Sequence, residues 1–299
     1  MAPSTARIPA PTSKIPIMTQ PRLTDRPALD RARLRAERRS DGMADFLHRA
    51  IATELEERLE LVNRSFTAPA VVSGYPRLWT ELVPGAKQVA DTEILDLVPG
   101  AHDLLIHALA LHWADDPVGQ LVQARHALKP DGLFLAALFG GETLCELRYA
   151  MAAAEVAELG GLSPRIAPMA DIRAIGSLMQ RAGFALPVAD SLPLTVSYET
   201  PFHLMRDLRA MGESNVLADR HRSPAPRRLF QRAAESYTES HAGSDGRIPA
   251  TFEILLLTGW APAASQPKPL RPGSATTRLA DALGTQEFKL PKDPDDIPD

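Results

Sequence analysis

Two apolar runs constrain the fold of this chain more than any other feature. Residues 102–113 (HDLLIHALALHW) and 133–139 (LFLAALF) are nearly continuous in apolar side chains. Strands exposed on one face alternate apolar with polar residues, so runs like these suit strands covered on both faces, as in a parallel sheet. Between them, Asp116-Pro117 opens a helical stretch through Leu128, with Leu121, Val122, Ala124, Ala127 and Leu128 on the inward side. Pro130-Asp131-Gly132 then turns the chain into the second run. Strand, helix and strand in that order predict an α/β fold.

The flanking sequence extends the pattern. From residue 22 to 62 the periodicity is helical, with Phe46, Leu47, Ile51, Leu55, Leu59 and Val62 on one face and Asp41 as candidate N-cap. Short strands are expected in APAVVSGYP (68–76) and AKQVAD (86–91), with a helix in PRLWTELV between them. Helices follow over 142–159, 170–184 (closed by Gly183), 200–212 and 226–239, and strands over 193–199 and 250–260. Residues 1–21 read as a disordered leader, with Met18 an alternative start, and 263–299 as a Pro-rich flexible tail. The folded part, 22–262, divides into N-terminal helices (22–65), a cofactor half (66–140) and a substrate half (141–262).

The net charge of −4 argues against a nucleic-acid protein, and no run of 18 apolar residues occurs to span a bilayer. Between Arg22 and Arg39, however, seven arginines mix with three acids, which fits either a solvated helix face or peripheral contact with a membrane surface. Cys145 is the one cysteine, so no intrachain disulfide forms and a reducing, cytoplasmic setting is the default.

In a doubly wound sheet the ligand lies beyond the carboxyl ends of the strands. The first strand delivers Ser73-Gly74-Tyr75-Pro76-Arg77, with one glycine to let a nucleotide approach. The next ends in Asp91, either a receptor for a ligand's amino or hydroxyl groups or a turn cap. His112 and Trp113 close the third, and His112 is either an acid–base group or a packed histidine. The turn Phe139-Gly140-Gly141-Glu142-Thr143 offers free amides to an anion, or is only a tight bend, with Glu146 and Arg148 beyond it. Glu213, Ser214 and Asn215 offer a carboxylate, a hydroxyl and an amide that could orient a polar substrate, or else form a loop after a helix ended by Gly212. No histidine spacing marks a metal site, and no catalytic residue is assigned.

Residues 111–164, LRAMGESN (208–215), GRIPATFEILLLTGW (246–260) and RPGSAT (271–276) resemble the bacterial and mitochondrial family of complex I assembly factor 5. The resemblance implies a Rossmann-like class I S-adenosylmethionine (SAM) methyltransferase fold, near the malonyl-carrier-protein methyltransferase of biotin synthesis, with helical insertions on the substrate side. Its mitochondrial member hydroxylates an arginine of a complex I subunit, so a complex I subunit is the implied partner and SAM the implied cofactor. The sequence departs from the family at the first strand, where an acidic residue and Gly-x-Gly-x-Gly are expected and Val71 to Arg77 stand instead. Asp91 then follows about 20 residues too soon for a complete second βα unit, so one unit is reduced or missing. Asp91 matches the family's adenine-side aspartate, and the ribose-side acid has no counterpart. The resemblance therefore implies weak or lost SAM binding at Ser73, Gly74, Asp91, His112 and Trp113. Three functions remain open: a complex I assembly protein that binds or hydroxylates its client, a SAM methyltransferase on a small molecule or carrier protein, and a non-catalytic scaffold.

Overall fold

The computed structural model describes residues 22–267, 277 and 279–285; the leader, the alternative start at Met18, RPGSAT and most of the tail lie outside the described residues. The chain divides into two compact units, 1–262 and 263–299. In the second, Leu279–Leu283 forms one short helix, α9, where the sequence predicts a flexible tail; LADAL is made mostly of strong helix formers.

The first unit begins with two helices, α1 (Arg26–Glu37) and α2 (Phe46–Val62). Asp41 caps neither: it pairs with Arg39, and Asp45 stands at the start of α2. The chain then runs β1 (Pro69–Ser73), α3 (Pro76–Leu82), β2 (Lys87–Ala90), β3 (His102–Ala108), α4 (Pro117–Ala127) and β4 (Leu128–Phe139). After these come α5 (Cys145–Leu159), α6 (Ile172–Arg181), β5 (Ala185–Tyr198), α7 (Pro201–Ala210), α8 (Arg227–His241) and β6 (Ile248–Trp260). Among the described residues no helix is long and apolar enough to cross a membrane.

Six strands form one sheet in the order β2-β1-β3-β4-β6-β5. The first four are parallel; β6 runs antiparallel to β4, and β5, at the far edge, antiparallel to β6. Every residue of β3 is buried, as its unbroken apolar run requires. The Rossmann-like α/β reading holds, and so does the shortened N-terminal half. The common doubly wound order places three strands before the switch point; here only β2 and β1 precede it. β2 therefore lies directly against β1 as a four-residue edge strand.

The register aligns the strand ends. Ser73 pairs with Ala90 on one side and Ala108 on the other, so Gly74, Asp91 and Leu109 emerge side by side at the switch point. The apolar run of residues 102–113 stops being a strand at Ala108: Leu109 takes a left-handed turn (φ 46°) and residues Leu111–Trp113 form a 3-10 turn. On one side of the sheet, the core joins α2, α3, α5, α7 and α8 through Ile51, Trp79, Leu147, Leu204 and Tyr237; on the other, α4 and α6 pack through Leu121 and Met179.

Candidate functional site

The mouth of the sheet is built around one glycine. A Cβ placed on Gly74 would overlap the guanidinium of Arg33, which packs closely against this backbone. The glycine was expected to let a nucleotide approach; the group that comes close is instead a guanidinium of the chain's own helix α1. Arg33 Nη1 donates to both carboxylate oxygens of Asp91, at 2.8 and 3.0 Å. Arg26, seven residues earlier and so on the same helix face, donates to the same carboxylate at 2.7 and 3.2 Å and to the Asp91 carbonyl at 2.7 Å. The Arg33 and Asp91 side chains are only 7% and 2% exposed. Burial works to raise the Asp91 pKa, but the two guanidinium groups outweigh it and hold the carboxyl below its usual value.

Helix α1 is locked in place at its start. Asp25 caps it by accepting from the Ala28 amide, and Arg220 donates to the same carboxylate at 2.9 Å. Thr24 Oγ1 donates to the Trp113 carbonyl at 2.8 Å, and the Leu23 and Thr24 amides donate to Asp115. Ala28, Leu29 and Ala32 pack with Trp113, Ala167, Val216 and Leu217. Of the arginines offered above as a surface patch, Arg26 and Arg33 therefore face inward, while Arg22, Arg31, Arg35 and Arg38 stay exposed.

Tyr75, next to the glycine, is buried; its hydroxyl donates to the Met211 carbonyl at 2.5 Å and its ring meets His48 edge-on. Arg77 is exposed and takes no part in filling the mouth. Ser73 Oγ accepts from the Tyr75 amide. With Ser73 engaged by the turn and Arg33 against Gly74 and Asp91, the residues present do not fit SAM.

Across the mouth lies a pocket of about 240 Å³. Trp113, Phe139, Leu147, Met151, Met205 and Phe252 make it largely apolar, and Arg165, Arg209, Glu213 and Ser214 are among its polar groups. Glu213 Oε2 accepts from the Trp113 indole N–H at 3.0 Å and lies 3.6 Å from His112 Nε2. The His112 ring is buried against Trp113 and Phe139, and neither of its nitrogens has a hydrogen-bond partner. Glu213 follows Gly212, whose φ of 79° and contact with Tyr75 leave no room for a side chain. Gly212→Ala is expected to cost about 1–3 kcal/mol through strain and overpacking, read as a lowered midpoint in urea unfolding.

The structure thus gathers Trp113, Phe139, Thr143, Glu213, Ser214 and Asn215 around one pocket and sends other candidates elsewhere. The Gly140 amide donates to the Glu253 carbonyl at 2.8 Å, so it is not offered to a ligand. A Cβ on Gly140 would strike Glu253, whose carboxylate accepts from the Glu142 amide and from Ser191 Oγ. Glu146 is buried and bonded to Thr251, and Arg148 donates to the carbonyls of Gly141 and Thr143, so both brace the turn. Asn215 touches the pocket, but its amide is spent on the Pro164 carbonyl and the Leu217 amide. Sequence reasoning missed Arg26, Arg33 and Glu253; only the seven-residue spacing of the two arginines hinted at a shared face. Among the described residues no group of three or more His, Cys, Asp or Glu side chains is placed to hold a metal ion.

No family model matches the chain. It is 38% identical over 227 residues to the mitochondrial arginine-hydroxylase NDUFAF5 of Danio rerio, covering 74% of this chain and 69% of that protein. The same protein of Homo sapiens is 36% identical over 222 residues, covering 74% and 64%. The malonyl-[acyl-carrier protein] O-methyltransferase of Laribacter hongkongensis is 35% identical over 184 residues, covering 62% and 59%. The alignments thus span between 59% and 69% of these relatives' own lengths. With 38% identity over more than two thirds of the zebrafish protein, the chain belongs to the arginine-hydroxylase NDUFAF5 family.

Proposed function

We propose that the protein acts in the assembly of respiratory complex I by taking an arginine side chain of a complex I subunit into the pocket beside Glu213, to hold or hydroxylate it, with SAM binding weak or lost. The observation that carries this is the Glu213 carboxylate in a largely apolar pocket, whose lining also holds Arg209 and an Arg165 already paired with Glu155. Arginine has three methylenes to lie along Leu147, Met151 and Met205 and a planar fork of donors to meet the Glu213 carboxylate. Trp113 fixes one Glu213 oxygen and so orients the group. The family relatives named as arginine-hydroxylases support the same substrate class. A second reading, methylation of a carrier protein, draws on the O-methyltransferase relative, and the guanidinium over Gly74 argues against it.

Glu213→Gln keeps the shape and a hydrogen bond but removes the charge. It is expected to weaken binding of an arginine peptide from the complex I subunit about 10- to 100-fold, the worth of a charge-assisted bond. Unchanged affinity in isothermal titration would move the arginine elsewhere. Mass spectrometry of the subunit from a deletion strain separates the two modes: loss of one oxygen atom's mass from an arginine marks hydroxylation, and unchanged modification with poor assembly marks a scaffold. We also propose a cytoplasmic setting, from the single cysteine, with Arg31, Arg35 and Arg38 exposed toward an acidic membrane surface.

A further inference from the structure

We propose that α1 is a plug acting in cis: the Arg33 side chain occupies the nucleoside place of the cofactor cleft, and this side chain, not loss of the cleft itself, keeps an adenine nucleoside out. The inference rests on the reading that SAM binding is weak or lost, and it supplies the cause.

Three features of the cleft survive. The strand ends at the switch point are in register, so Gly74 and Asp91 stand together at the place where an open α/β sheet receives its ligand. Gly74 keeps a bare backbone there, and the three atoms nearest the place of its missing Cβ all belong to the Arg33 guanidinium. Asp91 follows the strand that neighbours β1, the position from which an acidic residue accepts from a ribose hydroxyl in sheets of this kind. The shortened half of the sheet thus moves an aspartate expected on the adenine side to the ribose side. What has changed is that both receptors are already engaged by one side chain.

The chemistry of the exchange is direct. A ribose diol offers two donors to a carboxylate, and Arg33 Nη1 already donates to both Asp91 oxygens. A nucleoside would have to displace a charged, nearly fully buried donor with neutral hydroxyls, which is unfavourable. Arg33 is further held by the Tyr75 ring, 5.8 Å from the guanidinium carbon, and α1 by its bonds to Trp113, Asp115 and Val216. Yet Arg33 Nε is buried with no hydrogen-bond partner, so the side chain does not fully satisfy the place it fills. Arg26 would still neutralise Asp91 if Arg33 were shortened.

The test titrates S-adenosylhomocysteine and adenosine against the full chain and Arg33→Ala by isothermal titration, with circular dichroism to verify folding. The wild type is expected to show no saturation up to about 1 mM, and Arg33→Ala to bind at least about tenfold more tightly with a ligand-dependent rise in Tm. Adding Asp91→Asn to Arg33→Ala is expected to abolish that gain. Should Arg33→Ala fail to fold, Arg33→Gln, which keeps a donor for Asp91 and is shorter, carries the same readout. Micromolar binding by the wild type would overturn both the plug and the reading of weak cofactor binding. A silent wild type beside a folded but equally silent Arg33 variant would overturn the plug alone.

Discussion

Asp91→Ala is expected to destabilise the protein by about 3–5 kcal/mol, the cost of stranding a buried charge by removing its partner. Two cations converge on this carboxylate, and among the described residues Arg33 forms no other ion pair. For a domain of this size the loss corresponds to about 10 °C in Tm, measurable by calorimetry. Asp91→Asn should fall in the same direction, because an amide cannot neutralise the guanidinium groups. The partner substitution makes the test sharper. If the loss comes from stranded charge, Asp91→Ala with Arg33→Met should be more stable than Asp91→Ala alone, a coupling that a double-mutant cycle isolates. A loss below about 1 kcal/mol for Asp91→Ala would mean that Arg33 reaches water easily and that α1 is not locked.

The second large effect is on acid stability. His48 Nδ1 accepts from the Trp79 indole N–H at 3.2 Å, and burial pushes the His48 pKa down from 6.5 to about 4. Between those values the unfolded chain binds a proton that the folded chain refuses, so stability falls as pH drops from about 6.5 and levels off below about 4. Above 6.5 the group is neutral in both states and the contribution is fully present. The whole difference amounts to about 3 kcal/mol. His107, bonded to Gln120 and also lowered by burial, adds slope in the same direction. In His48→Gln the side-chain carbonyl can still accept from Trp79, so the variant should fold and show a visibly shallower loss between pH 6.5 and 4. Identical profiles for the two proteins would remove His48 from the account.

Much of the sheet was legible because the residues that build it have no other place to go. The runs in β3 and β4 are too apolar for anything but a strand buried on both faces. Pro130-Asp131-Gly132, expected as the turn before β4, falls inside it instead, where Asp131 takes a φ of 63° and the pairing with β3 shifts register. The early arrival of Asp91 already signalled a missing unit. What was lost concerns contacts between distant segments. β5 starts at Ala185, well before the predicted 193, because its long antiparallel pairing with β6 carries a stretch with little alternation of its own. α5 starts at Cys145 and not at 142 because Glu253, 111 residues from Glu142, takes up the amide there. The arginine clamp was hidden for a different reason. An arginine-rich helix reads as a solvated face, and only a carboxylate 58 residues away makes Arg33 a buried one. In the candidate site, the residues offered by the strand ends and by Glu213 could be found by topology; the lining from Met151, Met205 and Phe252 could not, since such residues look like ordinary core.

The two borders of the sheet differ in how they refuse new neighbours. At one, removal of a βα unit has made a former interior position into a border only four residues long, with Lys87 at its head. At the other, β5 is 14 residues long but interrupted by Pro187 and Pro193, with Arg58 paired to Asp190 across it. Short length, charge and missing N–H groups all discourage the addition of an incoming strand. A strand laid along either border would find few backbone partners, which leaves the open ends of the strands as the sheet's accessible face.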